Sequence, residues 1–457
     1  MDARFSDGTT TYDLSDGGVM LREYTPIVGE RGKDRVTDSL LIFLSAGSLA
    51  DQQATKDEIN DWLSTAREMW ETVSETRIYI EIKQASETDW RRSELLGGRL
   101  QPISGTLDSH SQIKQEYMLI VERRNWWEWP EEELPLSIDN SGFATGGVIV
   151  VNGGNGVYGF SGGSTVYITG TDITGDPQTP IPVRWELTPY SDPNIAVEEM
   201  FVAHNVFADL DPSTDEHMLE GEDGTPSAGV TTDANARSGE MNTIDWAGAQ
   251  NQTHKLNWTL NGSQLGGLGG RWYRLLMRLK GTFTAPLFAH LSLFSSSYTP
   301  GIHNPMAETE EIEITCGDTD YDLLDFGALQ LPTFVSSTAS EDLELVLRLR
   351  TVNSPGSLDI DFVQLSPVDS FHHAKNVHAV SWDASKIILD GRLGRSYMLT
   401  YPGDTAIDGF TDVSNHVALW PGRDQWLTFL HKNGGQSMVI DTPLTVQAFY
   451  RPRRTTV

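Results

Sequence analysis

The chain has 457 residues, of which 38% are hydrophobic and 21% charged, with a formal net charge of −31. That is too long for one core and enough for about two to four domains of ordinary globular composition. The acidity argues against binding nucleic-acid phosphates, no run approaches the roughly 18 apolar residues of a membrane span, and the single cysteine excludes an internal disulfide or a multi-cysteine metal site.

The N-terminal stretch MDARFSDGTTTYDLSD lacks a basic patch followed by an apolar run, so no secretion signal is expected. Leu40, Ile42 and Leu44 alternate as in a strand. A helix follows, with Ile59, Trp62, Leu63, Ala66, Met69, Trp70 and Val73 on one face, and Thr55 with Glu58 reads as the capping box that starts it. Ile78, Ile80 and Ile82 then resume period two. From Ile113 to Val121 both faces are apolar, as expected of a strand that covers a core on one side and meets a subunit on the other.

The run from Asn125 to Pro135, with two prolines and three consecutive glutamates, marks a boundary. Residues 141–163 are glycine-rich with valines between, which fits strands joined by tight turns. The stretch 220–245 is polar; strands resume near 255. Leu343, Leu345, Leu347 and Leu349 alternate with polar partners, and Leu358, Ile360 and Phe362 repeat the pattern until Ser366–Asp369 ends it. A last group covers 387–389, 426–430 and 444–450, and no repeat at a solenoid or propeller period is visible. The fold class is therefore mainly β: sandwiches preceded by one unit of sheet plus helix.

Motifs of catalysis are weak. Gly154, Gly156 and Gly159 match a dinucleotide fingerprint, and Gly159–Gly163 matches a nucleophile elbow around Ser161, but both need a following helix and strand follows instead. His372 and His373, adjacent on a strand, would point to opposite faces and could not easily share an ion, so a loop or strand-end role is expected. Asp318, Asp320, Asp322 and Asp325 lack the glycine of a calcium loop and read as a solvated turn. Cys316 shares strand parity with Ile312 and Ile314 and reads as core. Trp246, Trp258 and Trp272 are candidate platforms for the apolar face of a sugar, with core packing as the competing reading, strongest for Trp272. Nothing marks an enzyme.

Several stretches resemble the distal tail proteins of long-tailed (siphophage-type) bacteriophages. Thr37–Ser48, and Arg91–Leu100 leading to Val121–Glu128, are similar to that family's belt domain, which ends in an arginine pair with aromatics. Ile181–Thr188 resembles the entry to its galectin-like domain, and Val417–Phe429 with Phe449–Arg453 resembles the exit. Leu219–Gly224 and Leu358–Leu365 are similar to the first and last strands of carbohydrate-binding jelly rolls.

The resemblance implies a belt domain at 1–135, a split galectin-like sandwich at 136–218 and 375–457, and an inserted jelly roll at 219–374. It implies a homo-hexameric ring of the virion tail tip, assembled in the host cytoplasm, which joins the tail tube to the baseplate. Its partners would be the tube, the hub or tip proteins and a host-surface glycan. For the jelly roll it implies a structural calcium held by Glu220, Glu222 and Asp361, whose hard carboxylate oxygens suit that ion. The acidity would suit a wall beside which DNA slides. The rival readings are a free carbohydrate-binding or adhesion protein and, behind it, a glycan-cleaving enzyme.

Overall fold

The computed structural model describes residues 1–27, 34–72, 76–103, 114–138, 142–150, 165–177, 179–190, 197–206, 218–260, 270–295, 304–332, 342–352, 354–367, 369–376, 384–400, 405–407, 410–412, 414–433 and 443–455. Both glycine-motif candidates, Val73 and Ile113 lie outside them. The fold is mainly β, with one α-helix among the described residues. None of the described helices is long and apolar enough to cross a membrane. The chain divides into two compact units: Met1–Glu132 with Ile173–Ile181 and Tyr450–Val457, and Glu133–Asp172 with Pro182–Phe449.

The first unit is a nine-stranded sheet whose main path runs Thr11–Asp13, Asp2–Ser6, Tyr79–Lys83, Arg91–Pro102, Lys114–Arg124, Arg35–Ser45 and Val19–Tyr24. Leu40, Ile42, Leu44, Ile80, Ile82, Leu119 and Val121 turn to one face and share a core with Ile59, Leu63 and Ala66 of the helix, Leu49–Glu71. The helix starts earlier than its apolar periodicity suggests. Its N-cap is Ser48, whose hydroxyl accepts the Asp51 N–H at 3.1 Å, while Thr55 lies inside and donates to the Asp51 carbonyl. Gly98 lets the helix approach, because a Cβ there would meet Leu63 and the Ile120 carbonyl.

The arginine pair has two separate tasks. Arg123 is fully buried and its Nε donates to Asp38 at 2.6 Å; Tyr24 and the Ile27 N–H also donate to that carboxylate. Arg124 pairs with Glu94 and lies 4.4 Å over the Trp70 ring.

Among the described residues the second unit holds four sheets. One has eight strands, including Ile181–Pro189, Ala384–Asp390, Arg395–Thr400 and Leu444–Tyr450. Another has five, including Val197–Asn205, Ser370–Asn376, Phe410–Asp412 and Gln425–Asn433. They meet in a sandwich where Trp185 sits edge-on to Phe429, with ring centroids 5.2 Å apart.

The other two sheets are built wholly from residues 218–367. A six-stranded one contains Met218–Glu220, Glu240–Trp246, Trp272–Phe283, Asp322–Gln330 and Gly356–Pro367; a five-stranded one contains Gln250–Leu260, Leu287–Ser295 and Leu343–Thr351. Leu275, Met277, Leu279 and Leu358 of the first and Leu256, Leu291, Leu345 and Leu347 of the second fill one core. Leu276 and Phe362 turn the other way, into a second cluster with Phe201 and Leu430. This explains why the strand around Leu275 is apolar on both faces.

Candidate functional site

The pair of sheets built from residues 218–367 brings Glu220, Glu222 and Asp361 together, although 139 residues' worth of chain separates Glu222 from Asp361 (361 − 222). The strand Gly356–Pro367 carries a bulge: Arg278 faces Phe362 and Leu279 faces Ile360, so Asp361 is the extra residue. Bulges re-aim side chains, and here the Asp361 carboxylate is turned fully inward. It accepts the backbone N–H of Arg237 at 2.9 Å and pairs with the Arg278 guanidinium. Glu220 sits opposite Phe362, and the Gly221 N–H donates to the Asp361 carbonyl. A Cβ at Gly221 would run into the Ile360 carbonyl, so this approach requires glycine.

Burial pushes the Glu220 carboxyl up to about 7; the charges of Asp361 and Glu222 add to the rise and Arg237 opposes it. One oxygen of Glu220 pairs with Arg237, but Oε2 of Glu220 and Oε2 of Glu222 are buried with no hydrogen-bond partner. Orphaned carboxylate oxygens in a shared field are donors of the kind calcium takes. The residues therefore fit such an ion, with Arg237 as the cation that already competes for Glu220. Bound there, calcium would neutralise the acidic group and tie the first strand of this module to its last.

Trp246 and Trp258 belong to the core of these sheets. They are 6% and 1% exposed, and their indole nitrogens donate to the carbonyls of Ser354 and Glu220. No face of either ring is open to a sugar. Trp272, expected in the core, is 54% exposed, because it opens its strand and burial begins only with Tyr273.

A different feature is a polar cavity. A cavity of about 580 Å³ is lined by Thr225, Pro226, Asn242, Thr243, Asp245, His254, Lys255 and Asn257, among others. It lies where the strands Glu240–Trp246 and Gln250–Leu260, from different sheets, diverge. The loop at Thr225 is held over it by paired backbone bonds with Asn257, at 2.8 and 3.0 Å, and by Asn242 donating to the Pro226 carbonyl. Amide, hydroxyl, carboxylate and ammonium groups converge there, as sugar hydroxyls require. Thr243 and Asp245, and Lys255 and Asn257, alternate with buried Ile244 and Leu256 as any outward strand face does, so sequence alone could not single them out. Trp272 is no part of it: Asn242 pairs Ile360, which pairs Leu279, seven residues along the strand from Trp272, or roughly 23 Å at 3.3 Å per residue.

His372 and His373 lie within a strand rather than at its end, and point to opposite faces as expected. His373 pairs with Glu199 at 2.8 Å and stacks on Phe201, while His372 meets Asp412 at 2.8 Å. Asp322 and Asp325 are strand residues rather than a solvated turn; Asp325 pairs with Arg274. Cys316 packs against the module's core, and burial raises its thiol to about 12, far from a reactive thiolate.

No known family matches this sequence, and no curated protein does. Among solved structures the chain is similar to chains of the phage P2 baseplate in its activated conformation, one with Ca and one with Sr. Each is 10% identical, with 100% of this chain and 99% of that chain covered, at a TM-score of 0.30. It is also similar to a chain of infectious bursal disease virus, Gx strain: 11% identity, 72% of this chain, 81% of that chain and a TM-score of 0.15. Scores of this size carry no fold assignment, so function is argued from the chain's own residues.

Proposed function

We propose that this chain is a structural subunit of a phage tail tip, closing as a homo-hexameric ring between tail tube and baseplate. The module at 219–374 contacts host-surface glycan. One observation carries the reading: Val197–Asn205 and Ser370–Asn376 pair antiparallel, and the described strands from Met218 to Pro367 build two sheets of their own between them. A sheet-and-helix unit, then a split sandwich interrupted by a jelly roll, is the order the sequence resemblance implies.

The first unit offers an assembly face. Leu41, Phe43, Met118 and Ile120 are half-buried on the side of the sheet away from the helix, with Leu41 opposite Met118. Apolar residues on a second sheet face suit a neighbouring copy. The net charge of −31 fits a ring around a DNA path, provided the acidic surface faces the channel. The polar cleft is the proposed glycan site, and Glu220, Glu222 and Asp361 the proposed calcium ligands.

The test is light scattering of the purified chain with averaged electron micrographs of the same sample. A closed six-fold ring with a channel wide enough for duplex DNA supports the reading. A monomer that also fails to assemble on purified tail tubes sinks it and favours a free sugar-binding protein.

A further inference from the structure

A second group of side chains, outside the acidic cluster and the cleft, is built like a transition-metal site. His372 stands on the strand Ser370–Asn376 and Asp412 on the strand Phe410–Asp412, both in the five-stranded sheet. His416 follows in the segment that enters Ala418–Leu419, which pairs with Ile181–Pro189 of the eight-stranded sheet. One ligand atom from each residue lies within 4.8 Å of the other two. The two imidazole centroids are 3.9 Å apart.

The carboxylate is already oriented. Ser396, on a strand of the eight-stranded sheet, donates its N–H to Asp412 Oδ2 at 2.9 Å and its hydroxyl to Oδ1 at 2.6 Å. Fixing a ligand through outer hydrogen bonds is how metal sites hold their geometry.

A hydrogen-bonded His–Asp pair would account for His372, whose Nε2 lies 2.8 Å from Asp412 Oδ1. It does not account for His416. That side chain is 9% exposed, its Nε2 stands 3.3 Å from Asp412 Oδ2, and both ring nitrogens are buried with no hydrogen-bond partner. Two orphaned nitrogens on one enclosed imidazole are costly and call for an occupant.

We propose that His372, Asp412 and His416 bind one divalent transition metal of the zinc class, which clips the two sheets of the sandwich together. Two imidazoles and one carboxylate select for zinc, cobalt or nickel: calcium prefers an all-oxygen set, and copper(I) seeks thiolate or thioether. The ion takes the place of the proton between His372 Nε2 and Asp412 Oδ1, the neutral His372 ring carrying its one proton on Nδ1 instead, and a His416 nitrogen that makes no hydrogen bond gains a ligand bond. His372 and His416 are 2% and 9% exposed, so the ion is largely enclosed, with water as the fourth ligand that three protein groups leave open. This inference does not depend on the tail-tip reading.

The experiment uses the full chain, stripped with chelator, titrated with zinc by calorimetry and with cobalt by visible absorption. The wild type should bind one ion more than His416→Ala and gain thermal stability with zinc. His416→Ala should still fold without metal, at some cost in stability for the buried ring it removes, yet lose at least about 100-fold in zinc affinity and the zinc-dependent gain in melting temperature. His372→Ala should lose the cobalt spectrum as well. If His416→Ala does not fold, His416→Gln replaces it with the same two readouts. Equal zinc affinity in wild type and variant, or no zinc-dependent gain in melting temperature, overturns the proposal; the chain's 11 histidines make that comparison, rather than bare stoichiometry, the deciding one.

Discussion

The buried pair of Arg123 and Asp38 gives the sharpest test of how the first unit is held together. Replacing Arg123 by Met keeps the aliphatic stem but loses the guanidinium, whose carbon lies 4.4 Å over the Trp127 ring. It removes three bonds: Nε to Asp38 at 2.6 Å, Nη1 to the Arg124 carbonyl at 2.8 Å and Nη2 to the Ile27 carbonyl at 3.0 Å. Asp38 keeps the Tyr24 hydroxyl at 2.7 Å and the Ile27 N–H at 2.9 Å but becomes a fully buried, uncompensated charge. Breaking such a pair costs about 3–5 kcal/mol, close to a thousandfold in the unfolding equilibrium. Adding Asp38→Asn removes the stranded charge, so the double variant should lose only about 1–2 kcal/mol, less than Arg123→Met alone and less than the sum of the two single costs. Urea unfolding reads the totals. Hydrogen exchange by mass spectrometry over 35–45 and 114–124 assigns them to this sheet. A loss under about 1 kcal/mol for Arg123→Met, or costs that simply add, would refute the account and mean that water solvates Asp38 when its partner is gone.

Three further outcomes are expected. Calcium at about 100 times its dissociation constant should stabilise the wild type by about 2.7 kcal/mol, and Glu222→Gln, which removes an orphaned oxygen, should lose most of that gain; calorimetric melting with and without calcium decides. On a glycan array, Asp245→Ala with Lys255→Ala should weaken binding by at least about tenfold, the worth of one hydrogen bond to a charged group, while Trp272→Ala stays within about twofold; the reverse pattern moves the site to Trp272. His204 is enclosed, and burial pushes its imidazole down to about 4, while Gln425, whose amide donates to the Trp420 and Arg423 carbonyls, accepts from His204 Nε2. Unfolded, it takes a proton near 6.5. Its contribution is thus complete above that pH and is lost as pH falls towards 4, by up to about 3 kcal/mol. Glu220, held up near 7, works in the opposite sense, so the quantity to measure is the difference between wild type and His204→Gln across that range. Parallel curves would show that His204 titrates normally.

The regular parts of the fold were legible because period two is a direct consequence of one buried sheet face. Leu343, Leu345, Leu347 and Leu349 read as a strand, and all four are buried in one. The helix was legible only where apolar residues recur. Its first turns, Leu49–Glu58, are almost wholly polar and solvent-facing, so periodicity placed the start near Thr55 when the cap is Ser48. Trp272 was misplaced for a similar reason: an apolar strand says which face is inward but not that its first residue overhangs the sheet.

The sites were legible to the extent that a chemical group betrays its setting in the local sequence. Glu220 and Glu222 flank Gly221 in an acidic run, and that run could be noticed. Why Asp361 joins them could not, because a one-residue bulge turns it from its strand's ordinary alternation, and a bulge is a property of two strands rather than one. His416 is the extreme case. It has no patterned neighbours, whereas the conspicuous pair His372–His373 divides, one ring to Glu199 and the other to Asp412. Strand parity correctly separated the two adjacent histidines, and the same parity frees His372 to meet a carboxylate 40 residues on and an imidazole 44 residues on (412 − 372 and 416 − 372). In a sheet-built protein a binding site forms where strands remote in sequence present the same face at one level, so the spacing that rules out a local metal motif leaves a non-local one open.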